Sequence, residues 1–309
     1  MATRTILVVG ATGQQGTAVL EALSEFTSSS SSSSSSTPSI PKIKILALTR
    51  SASSPKARAL PSTYPGLDLE LVEGNTRDPG PIFAAHPDID AVFSYTTPPD
   101  EVPQARALID AAAASGRVSH FVFSSVDHGG EPKSWDSPTE IPHFREKHEI
   151  EVHLRAACGG GGRKDKNKKM TYTILRPVAF MDNLNPTSAF GAAFASLWAT
   201  MPRDTKLQVV SVRDIGRAAA RALLLLQTDA GRSRYADRAA GLQLPQAWTV
   251  VGWGVRWAAR EVGLMFRWFE TDGYGVDIAA LRREEPGLQD FETWLRESSR
   301  FECGRGRGE

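Results

Sequence analysis

The chain has 309 residues, 41% hydrophobic and 23% charged, values of a globular protein with one large domain or two closely packed ones. Its 36 Lys and Arg against 35 Asp and Glu leave a formal charge of +1, which excludes the bulk cationic field that holds DNA or anionic lipid; no direct nucleic-acid partner is expected. Two cysteines, Cys158 and Cys303, make neither a disulfide framework nor a Cys-x-x-Cys or Cys/His cluster, so the expectation is no metal site and a reduced, cytoplasmic protein.

A strand pattern starts at Arg4 and leaves no room for the basic region, apolar stretch and cleavage site of a secretory leader. It runs to Val9, then gives way to a glycine turn, Gly10 to Gly16, and a helical pattern through Leu23. Ser28 to Ser36 is an unbroken serine run within an insertion, Thr27–Lys42. Such a run cannot bury enough apolar surface to offset its ordering entropy, and it predicts a disordered loop. Buried strands follow at Ile43–Leu48, Leu67–Val72, Ala91–Phe93, His120–Ser124 and Thr171–Leu175, with helices at Pro103–Ala114 and Pro142–Ala157. Gly159–Gly162 and the basic run Arg163–Lys169 read as a solvated loop.

Strands alternating with helices predict a Rossmann-like α/β fold, a doubly wound parallel sheet over residues 1–176, with a smaller C-terminal α/β lobe over 177–309. In that lobe Lys206–Val212 reads as a strand and Asp214–Gln227 as a helix, while about Gly231–Arg260 has no clean period. The longest apolar stretch, Ala218–Leu226, is broken by Arg221 and falls far short of the ~20 residues that cross a bilayer. No membrane partner is expected.

A dinucleotide is bound economically by aiming unpaired backbone N–H groups and a helix dipole at its pyrophosphate. Gly10 permits the turn out of the strand, Gly13 lets the backbone approach the phosphates, and Gly16 lets the helix pack closely. At the end of the second strand an acid would accept from a ribose 2′-hydroxyl, whereas an arginine fork suits a 2′-phosphate. Without the insertion, Arg50 falls about 24 positions after Gly10, near the ~20 expected of that selector. Lys56 and Arg58 are candidate helpers, and NADP(H) is preferred over NAD(H).

The turn Gly10-Ala11-Thr12-Gly13-Gln14-Gln15-Gly16 stands with Arg50, with Gly74-Asn75 and with Thr96-Thr97-Pro98. Ile141 to Lys147, Leu175 to Asn183, Val210 to Gly216 and the tail from Met265 to Leu295 complete the pattern. With these the chain resembles the NmrA-like family, an atypical branch of the short-chain dehydrogenase/reductases. The resemblance implies that Gly10 to Gln15 cradle the pyrophosphate, Arg50 meets the 2′-phosphate, and Asn75 and Thr76 lie by the adenine. It also implies that Thr96, Thr97 and Pro98 flank the ribose and phosphate, Lys147 reaches the nicotinamide ribose, and Phe180 to Asn183 close over the nicotinamide. The serine run and the Trp/Arg/Gly-rich string at 231–260 depart from the family.

Typical short-chain dehydrogenases carry Tyr-x-x-x-Lys on a helix, where the ammonium lowers the phenol pKa. Here the same spacing carries His143 and Lys147, and these are the candidate catalytic residues, with Ser124 or Ser125 as a helper. Histidine can move a proton near neutral pH. Two functions are therefore open: a redox sensor that binds NADP(H) with little or no turnover and presents a surface to a regulatory protein partner, or an NADPH-dependent reductase of a small hydrophobic carbonyl or enone compound. The sensor alternative adds a nuclear location to the cytoplasmic one.

Overall fold

The apolar runs of the first half become the strands of one parallel sheet. In the computed structural model these are β1 (Arg4–Val9), β2 (Ile43–Thr49), β3 (Asp68–Glu73), β4 (Ile89–Tyr95), β5 (His120–Ser124) and β6 (Thr171–Leu175). Their order is β3-β2-β1-β4-β5-β6 and every pairing is parallel. That is the Rossmann order, in which the chain reverses direction across the sheet between β1 and β4 and leaves a crevice at their carboxyl ends. The structure describes residues 3–30, 42–131, 133–136, 139–159, 170–224, 237–238 and 260–301. The serine run beyond Ser30, the basic run Arg163–Lys169 and almost all of 231–260 lie outside the described residues.

The interleaved helices are α1 (Gln14–Ser30), α2 (Pro55–Thr63), α3 (Gly80–Ala85), α4 (Glu101–Ala114), α5 (Lys133–Asp136) and α6 (Pro142–Ala157). The first helix departs from expectation, since Ser28 to Ser30 continue it. Thr27 Oγ1 donates to Leu23 O at 2.9 Å and Ser28 Oγ to Ser24 O at 2.8 Å. These hydroxyls bond back onto the preceding turn, a conformation that a helix tolerates. Further along come β7 (Ala179–Phe180), a 3₁₀ turn (Met181–Leu184), α7 (Ala189–Trp198), β8 (Gln208–Val210), α8 (Val212–Leu224), β9 (Asp237–Arg238), α9 (Arg260–Thr271), α10 (Ile278–Glu284) and α11 (Phe291–Glu297). The strand expected over Lys206–Val212 is thus shorter, because Ser211 already begins the turn into α8 and its hydroxyl accepts the Asp214 N–H at 3.2 Å.

The chain forms two compact units. The first comprises Met1–Ser125, Glu146–Leu175 and Ile215–Ser233; the second comprises Val126–Arg145, Arg176–Asp214 and Arg234–Glu309. In the first, β1 is buried along its whole length, and even Arg4 sits inside, its Nε 3.0 Å from Asp90 Oδ2. The second holds the three-stranded sheet β7-β8-β9 and an aromatic core. Phe266 is fully buried there, with ring centroids 5.7 Å from Phe194 and 5.3 Å from Phe269. Among the described residues no helix is long and apolar enough to cross a membrane.

Candidate functional site

A glycine at the end of β1 makes the turn. Gly10 has φ +63°, a conformation that side-chain-bearing residues adopt at a cost, and its carbonyl accepts the Gly13 N–H at 2.8 Å. A Cβ on Gly16 would strike the Gly10 carbonyl and the Ala11 Cα, so only glycine lets α1 start this close to the strand end. At the end of β4, Tyr95 lies over the same turn and donates from Oη to Gly10 O at 3.3 Å.

Beside the turn lies a cavity of about 600 Å³ at the carboxyl ends of β1, β2 and β4. Gly10, Thr12, Gly13, Arg50, Asn75, Thr76, Thr97 and Pro98 all line it, so eight of the predicted cofactor residues meet in one place. Arg50 is exposed there. Ser54, also in the lining, caps α2 by accepting the Ala57 N–H at 3.3 Å. Arg77 also lines the cavity and pairs with Asp100 at 3.2 Å. Lys56 and Arg58 are exposed on α2, outside the lining.

Ala11, Gln14, Gln15 and Gly16 do not line the cavity. Ala11 is fully buried, and Gln15 Oε1 is buried with no hydrogen-bond partner among the described residues. Thr96 and Lys147 are drawn into a separate buried cluster. The Lys147 Nζ is 2.9 Å from Glu101 Oε2 and donates to Thr96 O at 3.0 Å and Thr96 Oγ1 at 2.8 Å. Lys147 is 4% exposed and Glu101 not at all. Burial pushes the Lys147 ammonium below the usual lysine range, and the Glu101 carboxylate opposes that shift.

Elsewhere on α6 the residue in the tyrosine's place, His143, is half-buried, and its backbone N–H donates to Glu261 Oε1 at 3.1 Å. Ser124 ends β5 and Ser125 follows it, both with hydroxyls buried and without a hydrogen-bond partner among the described residues. Phe180 belongs to β7 and Asn183 to the 3₁₀ turn of the second unit. Sequence reasoning missed Glu101 and Tyr95. Glu101 precedes the helix expected from Pro103, and Tyr95 lies beyond the strand expected over Ala91–Phe93; no local pattern signals the tertiary role of either.

The sequence matches the NmrA-like family over residues 2–236. The chain belongs to the NmrA-like family. It is 32% identical over 180 residues, 58% of this chain, to an NAD(P)H azoreductase of Xenophilus azovorans, and spans about half the length (49%) of that relative. In fold it is similar to NmrA, a negative transcriptional regulator, solved with NAD, at a TM-score of 0.63 and 15% identity over 96% of both chains. The NADP complex of NmrA matches at 0.59, 15% and the same coverage. It is also similar to a triphenylmethane reductase of Citrobacter sp., at 0.61 and 16% identity over 94% of this chain and 98% of that one. This one fold thus serves both a transcriptional regulator and a reductase.

Proposed function

We propose that the protein is an NADP(H)-binding redox sensor or regulator of the NmrA type, which binds the dinucleotide with little or no turnover. The residues present fit such a ligand. Gly10, Gly13 and Gly16 bring no side chains of their own into the turn at the head of α1, and Arg50 presents an exposed guanidinium to the cavity and makes no ion pair among the described residues. The bound dinucleotide would supply hydride-transfer chemistry; the chain supplies the phosphate cradle and, through Arg50, the preference for a 2′-phosphate.

The observation that carries the sensor reading is the capture of Lys147. In a Tyr-x-x-x-Lys enzyme the ammonium is needed to lower a phenol's pKa. Here it is buried, and Glu101 and Thr96 take its hydrogen bonds, while the phenol's place holds His143. A regulator of this kind works only if the dinucleotide favours one of two conformations, so that a regulatory protein partner meets a changed surface in the cytoplasm or nucleus.

A second reading, an NADPH-dependent reductase of a small hydrophobic carbonyl or enone compound, is favoured by the azoreductase relative and by the Ser124 and Ser125 hydroxyls, which have no hydrogen-bond partner among the described residues. Calorimetric titration with NADPH, NADP and NADH, followed by nicotinamide absorbance in the same samples, separates the two. Tight NADP(H) binding with no oxidation across a carbonyl and enone panel is expected. Sustained oxidation that falls in His143→Ala at unchanged NADPH affinity would replace the sensor with the reductase.

A further inference from the structure

Tyr95 ends β4 with its ring in a notch that two absent side chains leave open. A Cβ on Gly10 would lie 2.5 Å from Tyr95 Oη and 2.8 Å from Cζ, and a Cβ on Gly13 would meet the same oxygen. The backbone at Gly13 is where a pyrophosphate approaches a glycine turn of this kind. The phenol therefore stands at the point where the phosphates of a dinucleotide would arrive.

Its present hydrogen bond is a weak one. The 3.3 Å contact to Gly10 O is well beyond the 2.7–2.8 Å typical of O–H donors, and that carbonyl already accepts the Gly13 N–H at 2.8 Å. No other acceptor holds the hydroxyl among the described residues. Burial raises the phenol pKa against an opposing effect of Arg50, so at neutral pH the group is a donor, and it lines the same cavity as the arginine. A donor held loosely by a satisfied carbonyl, in a cavity that also holds a cation, is poised for an anion.

We propose that Tyr95 is a pyrophosphate-contacting residue: its O–H, parked on the Gly10 carbonyl in the free protein, passes to a phosphate oxygen of a dinucleotide on the glycine turn. This rests on the dinucleotide-binding reading above. The exchange gives up a long neutral hydrogen bond for a charge-assisted one, which is about twice as strong. Pyrophosphate is common to NAD and NADP, so Tyr95 strengthens both, whereas Arg50 tells them apart.

The test is calorimetric titration of the wild type, Tyr95→Phe and Tyr95→Leu with NADP, NAD and adenosine 2′-monophosphate, which has no pyrophosphate. Tyr95→Phe keeps the ring that fills the notch, so its melting temperature should match the wild type. Both variants should bind NADP and NAD about tenfold or more weakly, the worth of a hydrogen bond to a charged group, and the monophosphate as the wild type does. Unchanged dinucleotide affinity in Tyr95→Phe overturns the inference and leaves the dinucleotide reading standing. An equal loss for the monophosphate moves the contact to the 2′-phosphate, and tighter binding by Tyr95→Leu marks the ring as an obstruction; either result overturns it. A wild type that binds no dinucleotide removes both readings together.

Discussion

His120, the first residue of β5, has a structural role set by two threonines of the neighbouring strand. Its ring lies between two hydroxyls, with Nδ1 2.8 Å from Thr171 Oγ1 and Nε2 3.0 Å from Thr173 Oγ1. Because Thr171 Oγ1 already donates to Ser119 O at 2.9 Å, it accepts from Nδ1–H, which leaves Nε2 to accept from Thr173. The neutral tautomer is thus fully satisfied. Burial first, and Arg4 second, lower the pKa to about 4, with Asp90 opposing. An unfolded histidine titrates near 6.5, so between about pH 6.5 and 4 the unfolded chain binds the extra proton and stability falls as pH falls. Up to about 3 kcal/mol is present above pH 6.5 and lost by pH 4. Urea midpoints across that range should drop steeply for the wild type and more gently for His120→Gln. Parallel slopes would show that other groups govern the acid limb. Lys147 too is held by another element: its spacing to His143 is plain in the sequence, but its partner Glu101 lies on a different helix.

Elements were legible where local pattern and tertiary role agree. The largely buried strands β1, β2, β4 and β5 are apolar runs, and α6 was bounded to the residue by Pro142 and the glycines after Ala157. β3 read weakly because it is largely exposed. α2 was missed because Pro61 interrupts it, and α9 because its aromatics serve a core assembled from distant segments. At the site, Gly10 and Arg50 were legible from the glycine turn and the end of the second strand, whereas Asn75 and Thr97 came only with the family resemblance; all four line the cavity. Cross-links between loops were not legible, and Asp127 is the clearest. Its buried carboxylate accepts N–H bonds from Gly129 at 3.0 Å, Gly130 at 3.0 Å and Gly275 at 2.9 Å, and the Ser134 hydroxyl at 3.3 Å. It ties the loop after β5 to the loop after α9. Asp127→Ala strands several buried donors, each costing about 1–3 kcal/mol. We expect a loss of about 3 kcal/mol or more in urea unfolding and faster proteolysis at the loop after β5. A midpoint like that of the wild type would mean that water replaces the carboxylate.

At the scale of the whole molecule, the near balance of 36 basic and 35 acidic residues removes any global attraction for an anionic ligand. Selectivity for a 2′-phosphate must then be local, and among the cavity's cations Arg77 is paired with Asp100 while Arg50 has no ion pair among the described residues. Arg50→Gln should therefore weaken NADPH binding about tenfold or more, the worth of a hydrogen bond between charged groups, and leave NADH binding nearly unchanged. Salt provides a second, independent readout. The screening length shrinks from about 10 Å at 0.1 M to about 3 Å at 1 M, and an exposed guanidinium is not shielded from that change. The wild-type preference for NADPH over NADH should narrow as salt rises, while Arg50→Gln, having no preference to lose, should show parallel salt slopes for both cofactors. If wild type and variant instead share one slope for each cofactor, the preference arises from shape or from neutral donors such as Ser51 and Ser54, and Arg50 is only a solvated surface residue.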